Sequence, residues 1–204
     1  MARPGLNLPL PTSTKMTRRI RTLAAASALL VLAAAPAAAQ QLVKAGSEIA
    51  FTSRQMGVPV DGRFRQFDAQ LAFDPKNPVA GRVAMTIDLA SITMGAPESE
   101  AEVVKSPWFD TARFPQATFR SSAIRAVGPG RYEVAGELGI KGARRDVVVP
   151  VTLTNAGGQA TASGSFVIRR LDFRIGDGEW ADTSMVANDV QVRFKLVLAG
   201  VAAP

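Results

Sequence analysis

From Gln40 onward the chain repeats apolar and polar residues with a period of two, the signature of strands with one dry and one wet face. Val83, Met85, Ile87 and Leu89 alternate with Arg82, Ala84, Thr86 and Asp88. Val147, Val149, Val151 and Leu153 alternate with Asp146, Val148, Pro150 and Thr152. Val190, Val192, Phe194, Leu196 and Leu198 alternate with Gln191, Arg193, Lys195 and Val197. Shorter runs of the same kind lie at 49–53, 64–73, 117–121, 132–138 and 164–173. Turn-forming clusters separate them: Asp74-Pro75, Gly128-Pro129-Gly130, Lys141-Gly142 and Asn155-Ala156-Gly157-Gly158. The pattern predicts an all-β domain of about eight antiparallel strands, a barrel or a sandwich. Pro150 offers no N–H to a ladder, which predicts an edge or a bulge there. One short helix is predicted over 98–105. It follows Gly95-Ala96-Pro97, stops before Pro107, and places Glu98, Glu100 and Glu102 near its positive end.

The N-terminus obeys different rules. Arg18, Arg19 and Arg21 precede an apolar run from Leu23 to Ala35, and Ala37-Ala38-Ala39 supplies small residues for cleavage. That order predicts a secretory signal peptide over 1–39, with 1–15 an over-long leader and either Met1 or Met16 the start. The apolar run falls short of the roughly 20 residues that a membrane-spanning helix needs. The secreted part, 40–204, is one domain, and its expected compartment is the periplasm. The net charge of +7 belongs largely to the leader, which holds five of the 24 basic residues and no acidic ones. Beyond it, 19 basic residues face 17 acidic ones, a net charge of +2 spread over the chain. Such a distribution is no footprint for nucleic acid.

The chain contains neither cysteine nor histidine. That excludes disulfides, thiolate nucleophiles, Cys-ligated zinc, iron–sulfur clusters and every Ser-His-Asp triad. Catalysis here would fall to carboxylates, Lys, Arg, Tyr or Ser.

The order of several short motifs adds a resemblance. Ser47, Ile49 and Phe51 are followed by Gly62, Phe64, Phe67 and Phe73-Asp74, then Asp88, Ser91-Ile92, Thr93 and Gly95. Trp108-Phe109-Asp110, Phe114-Pro115, Thr118-Phe119 and Ser121-Ser122 come next. Tyr132, Gly136, Leu138, Ile140-Lys141-Gly142, the valine-rich strand from Asp146, Arg170, Asp172-Phe173 and Ile175-Gly176 complete the series. Across 42–198 the chain resembles the YceI-like family of exported lipid-binding proteins. It departs from the family at three places. Gln55-Met56-Gly57 stands where many members have a histidine, Gly139 where threonine is usual, and Arg174 where glycine is usual. The resemblance implies a lipocalin-like antiparallel β-barrel with an internal pocket for an isoprenoid chain or a related amphiphile.

In such a barrel the candidate ligand-binding wall is the apolar strand faces: Phe64, Phe67, Phe73, Met85, Ile87, Leu89, Phe119, Leu138, Phe166, Ile168, Phe194 and Leu196. Trp108 and Phe109, just past the helix, are candidates for a lid or mouth. Burial of hydrocarbon, about 0.8 kcal/mol per methylene, supplies the driving force. Met56 and Val58 fall in a segment, 55–60, that reads as a wide hairpin loop, or as a gate or membrane contact. Asp172, Asp177, Glu179 and Asp182 gather around Gly176-Asp177-Gly178, either as a solvated loop or as an acid–base pair; they match no complete calcium loop. Arg144-Arg145 and Arg169 with Arg174 read as surface salt bridges or contacts to a phosphate. Arg170, beside Asp172, reads as half of a buried ion pair.

The leading expectation is a non-catalytic periplasmic protein, without metal or resident cofactor, holding an isoprenoid or quinone-like lipid. The alternatives are a carboxylate-based envelope hydrolase and an accessory of a membrane-bound cytochrome or quinone enzyme. An edge strand near Pro150 leaves a homodimer open.

Overall fold

The structure is a computed structural model that describes residues 40–202. The leader, apolar run and cleavage site read at 1–39 lie outside the described residues. No helix among the described residues is long and apolar enough to cross a membrane.

The alternating segments form ten strands: β1 (Gln41–Gln55), β2 (Val58–Phe64), β3 (Phe67–Ala72), β4 (Arg82–Asp88), β5 (Ile92–Thr93), β6 (Gln116–Gly128), β7 (Arg131–Ile140), β8 (Ala143–Ala156), β9 (Gln159–Arg169) and β10 (Asp189–Ala199). One helix, α1 (Pro97–Val103), starts with proline at its first turn and carries Glu98 and Glu100 there. All ten strands belong to one antiparallel sheet in the order β3-β4-β6-β7-β8-β9-β10-β1-β2-β5.

The expected closed barrel of about eight strands is therefore corrected to a curved, open sheet of ten. The reason lies in the run at 64–73, which reads as one strand but breaks at Arg65-Gln66. There the backbone turns away to Ser91: Arg65 N donates to Ser91 O (3.1 Å) and Gln66 N to Ser91 Oγ (3.0 Å). β2 pairs with β1, whereas β3 pairs with β4 at the far end of the sheet. Two residues thus join strands eight places apart in the order, and the sheet can satisfy that only by curling. Where its ends approach, side chains do the joining. The Gln40 amide donates to Phe73 O (2.6 Å) and accepts from Phe73 N (2.7 Å). Ile49, Phe67 and Met85 form a buried cluster from β1, β3 and β4.

Two smaller expectations also change. The run at 164–173 is a strand only to Arg169; Arg170–Phe173 is a 3-10 turn ending on Arg174 at φ 56°. Arg174 thus occupies a left-handed position that glycine tolerates best, which accounts for the usual glycine there. The wide loop expected at 55–60 is a two-residue turn, Met56-Gly57, with φ of 48° and 81° and Gln55 paired to Val58; both angles suit a tight hairpin. Pro150 keeps the local edge expected of it: β8 lies inside the sheet order, but at Pro150 it is paired on one side only, with Glu133 of β7. The β8–β9 ladder runs from Ala156↔Gln159 to Thr152↔Ser163 and ends before Pro150, as a residue without an N–H requires.

Candidate functional site

Side chains on the concave face alternate inward along every strand, yet they do not fill the interior. Phe64, Ile87, Phe119, Phe166 and Val192 pack against fully buried neighbours while keeping part of their own surface exposed. They border empty space. One chamber of about 280 Å³ lies between α1, the start of β6, β9, β10 and the β1–β2 hairpin. A second, of about 170 Å³, lies between β3, β4, β6–β8 and the end of β10. Ile49, Ile87, Leu138, Phe166 and Val192 line both, so the chambers meet at a common waist. The smaller is comparable to an apolar cavity of about 150 Å³ that stays dry and admits benzene.

Glycines on neighbouring strands keep the space open. Phe194 sits opposite Gly164 and Phe51 opposite Gly62 in their ladders, and Phe119 reaches Gly136 on β7. A Cβ on Gly164 would run into the Pro150 carbonyl and meet the Phe194 ring at 2.7 Å, one on Gly136 would run into the Arg120 carbonyl and meet the Phe119 ring at 2.7 Å, and one on Gly62 would run into the Phe51 ring. The far end of each ring lies over bare backbone.

Buried cations fasten the loops that close the larger chamber. Arg170 is 1% exposed and uses all five of its N–H groups on main-chain carbonyls. Nε donates to Ala187 (3.1 Å), Nη1 to Ile175 (2.9 Å) and Gly176 (2.6 Å), and Nη2 to Trp180 (2.7 Å) and Val186 (2.7 Å). Burial lowers its pKa, but a guanidinium stays charged. The expected Arg170–Asp172 ion pair is absent; carbonyl dipoles replace the carboxylate. Lys141, 7% exposed, donates to Pro107 O (3.1 Å), Arg174 O (2.6 Å) and Asp177 Oδ2 (3.3 Å). The two cations tie 107, 174–187 and the β7–β8 turn into one cap.

The helix α1 is held by a carboxylate. Glu100 accepts from Thr93 Oγ1 (2.9 Å), Met94 N (2.7 Å) and Gly95 N (3.1 Å). These bonds, the Met94 amide foremost, hold its carboxyl below the ordinary 4.5. A carboxyl with a depressed folded pKa keeps its clamp intact above the ordinary value and loses it as pH falls through the folded one. In an NMR titration the Met94 and Gly95 amide shifts should move together with a midpoint below 4.5. Glu100→Gln should flatten that titration, and a midpoint above 4.5 would refute the clamp.

Of the residues expected to form the wall, Phe64, Leu89, Trp108, Phe109 and Ile168 line the larger chamber, and Phe73, Met85, Phe119, Phe194 and Leu196 the smaller. Ile87, Leu138 and Phe166 line both. Phe67 lines neither; it packs in the cluster with Ile49 and Met85 and borders a groove outside. Trp108 packs on Trp180 with ring centroids 5.3 Å apart and planes tilted by 46°, and Phe109 meets Phe64 edge-on at 6.2 Å. Wall residues missed from the sequence include Ile49, Val190 and Val192, on strand faces already read as apolar but without a bulky ring to mark them, and Trp180, in a turn with no period to reveal it. Asp172, Asp177, Glu179 and Asp182 line neither chamber. Asp182 bonds Ser184 in its own turn, which holds its carboxyl below the ordinary range, the reverse of what a general acid needs. Arg144 pairs with Glu137 at 3.1 Å on the exposed face.

A model of the YceI-like domain matches residues 41–198. The solved structure of BcnA from Burkholderia cenocepacia is 44% identical, covers 76% of this chain and 98% of its own, and superposes with a TM-score of 0.74. A UPF0312 protein of Enterobacter sp. is 29% identical over 78% of this chain and 88% of its own length. A structure described as a polyisoprenoid binding domain from Saccharophagus degradans, 18% identical, covers 81% of this chain and 99% of its own with a TM-score of 0.65, a likeness of fold. The curled sheet, its two chambers and the match along nearly all of the described residues agree: the chain belongs to the YceI-like family.

Proposed function

We propose that the protein is a non-catalytic periplasmic carrier that holds the hydrocarbon tail of an isoprenoid or quinone-like amphiphile in the joined chambers. One observation carries this reading: bulky inward side chains remain partly uncovered around an elongated apolar hollow. The likeness in fold to a described polyisoprenoid binding domain supports it. The smaller chamber is lined by hydrocarbon and aromatic side chains, whereas Ser53, Gln55, Ser99 and Glu102 line the larger one. That asymmetry favours a tail in the smaller chamber and a hydrogen-bonding head near α1 and the β1–β2 hairpin. The thirteen expected wall residues that border the hollow are the proposed tail contacts. Exposed Met56, Val58 and Met185 stand beside Gln55, Val60 and Val186 of the larger chamber, and Met56 N donates to Met185 O at 2.8 Å. This favours a second step, delivery of the lipid to a membrane-bound cytochrome or quinone enzyme.

Native mass spectrometry of protein purified from its own host tests the reading. The expected result is an adduct that fragments to a prenyl lipid. Protein that is adduct-free and takes up no octaprenyl lipid from detergent would reject it.

A further inference from the structure

Beyond the β8–β9 hairpin the wall of the hollow has an unzipped seam. The β8–β9 ladder stops at Thr152↔Ser163, whereas β8 stays paired with β7 as far as Ala143 and β9 with β10 as far as Arg169. At the stopping point Pro150 has no N–H to offer β9. A Cβ on Gly164 would run into the Pro150 carbonyl, so the two backbones touch there. Past that contact, 144–149 of β8 and 165–169 of β9 share no ladder. Two inward side chains of this stretch, Val149 and Phe166, line the hollow, and Phe166 lines both chambers, so the seam lies at the waist.

The separated strands carry matched residues. Continued in its own register, the ladder sets Val148 opposite Val167 and Asp146 opposite Arg169. The two valines are 58% and 53% exposed. Among the described residues neither Asp146 nor Arg169 has an opposite charge within 4.0 Å. Cross-strand pairs of β-branched residues and of opposite charges stabilise neighbouring strands, yet these four side chains are left unused.

We propose that the seam is a lateral gate with two positions: parted, and zipped with Val148 against Val167 and Asp146 against Arg169. Parting opens the waist sideways, so that a hydrocarbon chain enters across the wall instead of from an end. Pro150 sets the balance, because a ladder that lacks a bond beside its hinge opens easily. Only the passage of hydrocarbon rests on the carrier reading; the two positions of the strands do not.

The chain has no cysteine, so an introduced pair can react only with itself. Under mild oxidation Val148→Cys/Val167→Cys should form a disulfide, as should the control Thr152→Cys/Ser163→Cys inside the existing ladder. The bond needs Cα atoms about 4.4–6.8 Å apart, and zipped strands supply about 5.5 Å. All four positions lie outside the hollow's lining, so both variants should fold. No cross-link at 148–167 after the control has gone to completion would show that the strands do not close. Uptake of a fluorescent geranylgeranyl ester, followed by stopped flow, should slow at least about tenfold in the locked protein and recover on reduction. Affinity should stay level, because entry and release slow together. Equal rates before and after reduction, or a weaker affinity at an unchanged rate, would overturn the gate. Pro150→Thr restores the missing N–H without any cross-link; it should slow uptake and protect the Val148 and Val167 amides from hydrogen exchange, and unaltered exchange would count against the hinge. If neither oxidation state takes up the ester, the carrier reading fails, and the cross-link still decides whether the strands close.

Discussion

Replacing Arg170 with methionine should cost on the order of 4 kcal/mol or more of folding stability, among the largest losses any single substitution here can cause. Methionine fills much of the volume, but five main-chain carbonyls, at Ile175, Gly176, Trp180, Val186 and Ala187, lose their donor at once. A buried polar group left unpaired costs about 1–3 kcal/mol, and local relaxation recovers only part of it. At about 2–4 °C per kcal/mol for a domain of this size, the melting temperature should fall by roughly 10 °C or more. Arg170→Lys is the sharper comparison. An ammonium has three donors, so at least two carbonyls stay unpaired although the charge is kept, and the loss should fall between wild type and methionine. Urea unfolding of the three proteins decides the matter. A methionine variant within about 1 kcal/mol of wild type would show that the carbonyls find other partners and that Arg170 does not hold the cap.

Val192→Phe at the waist should weaken binding of an octaprenyl lipid by about a hundredfold or more while leaving a geranyl lipid nearly unaffected. Val192 is half-buried and borders both chambers, so the added ring bulk goes into empty space rather than into packed atoms. The strain of overpacking, typically about 1–3 kcal/mol, should then stay near its lower end. A tail stopped at the waist forfeits the smaller chamber. At about 0.8 kcal/mol per methylene, the loss of a single isoprene unit exceeds the roughly 2.8 kcal/mol of a hundredfold change. Competition against a fluorescent prenyl probe measures both ligands. Equal weakening of the long and the short chain would mean that the tail does not pass Val192.

The strands were legible because their signal is local. Alternation in 82–89, 147–153 and 190–198 names the inward side chains directly, and most of the residues bordering the hollow can be read that way. The sheet's order was not legible, because it depends on Arg65 and Gln66, whose polar character in a run of alternating residues marks no break by itself. Only the distant Ser91, which takes up both of their amides, makes the turn. Arg170 was legible as buried and misread as ion-paired: Asp172 is two residues away in sequence, whereas the five carbonyls that satisfy the guanidinium are spread over 175–187. Val190 and Val192 show a different limit, since small apolar residues carry no mark that separates the rim of a void from packed core. That the interior is empty at all follows from relations across strands, such as Phe194 over Gly164.

Those pairings give the protein an unusual handle on selectivity. The width of its lumen is governed beneath the rings, at Gly62, Gly136 and Gly164, by atoms no guest ever meets. An added methyl at Gly62 would meet only the Phe51 ring and tip it aside, whereas at Gly136 and Gly164 it would also press on the Arg120 and Pro150 carbonyls and force the strands to shift. Admission of thicker or thinner hydrocarbon chains is in this sense calibrated from behind the wall.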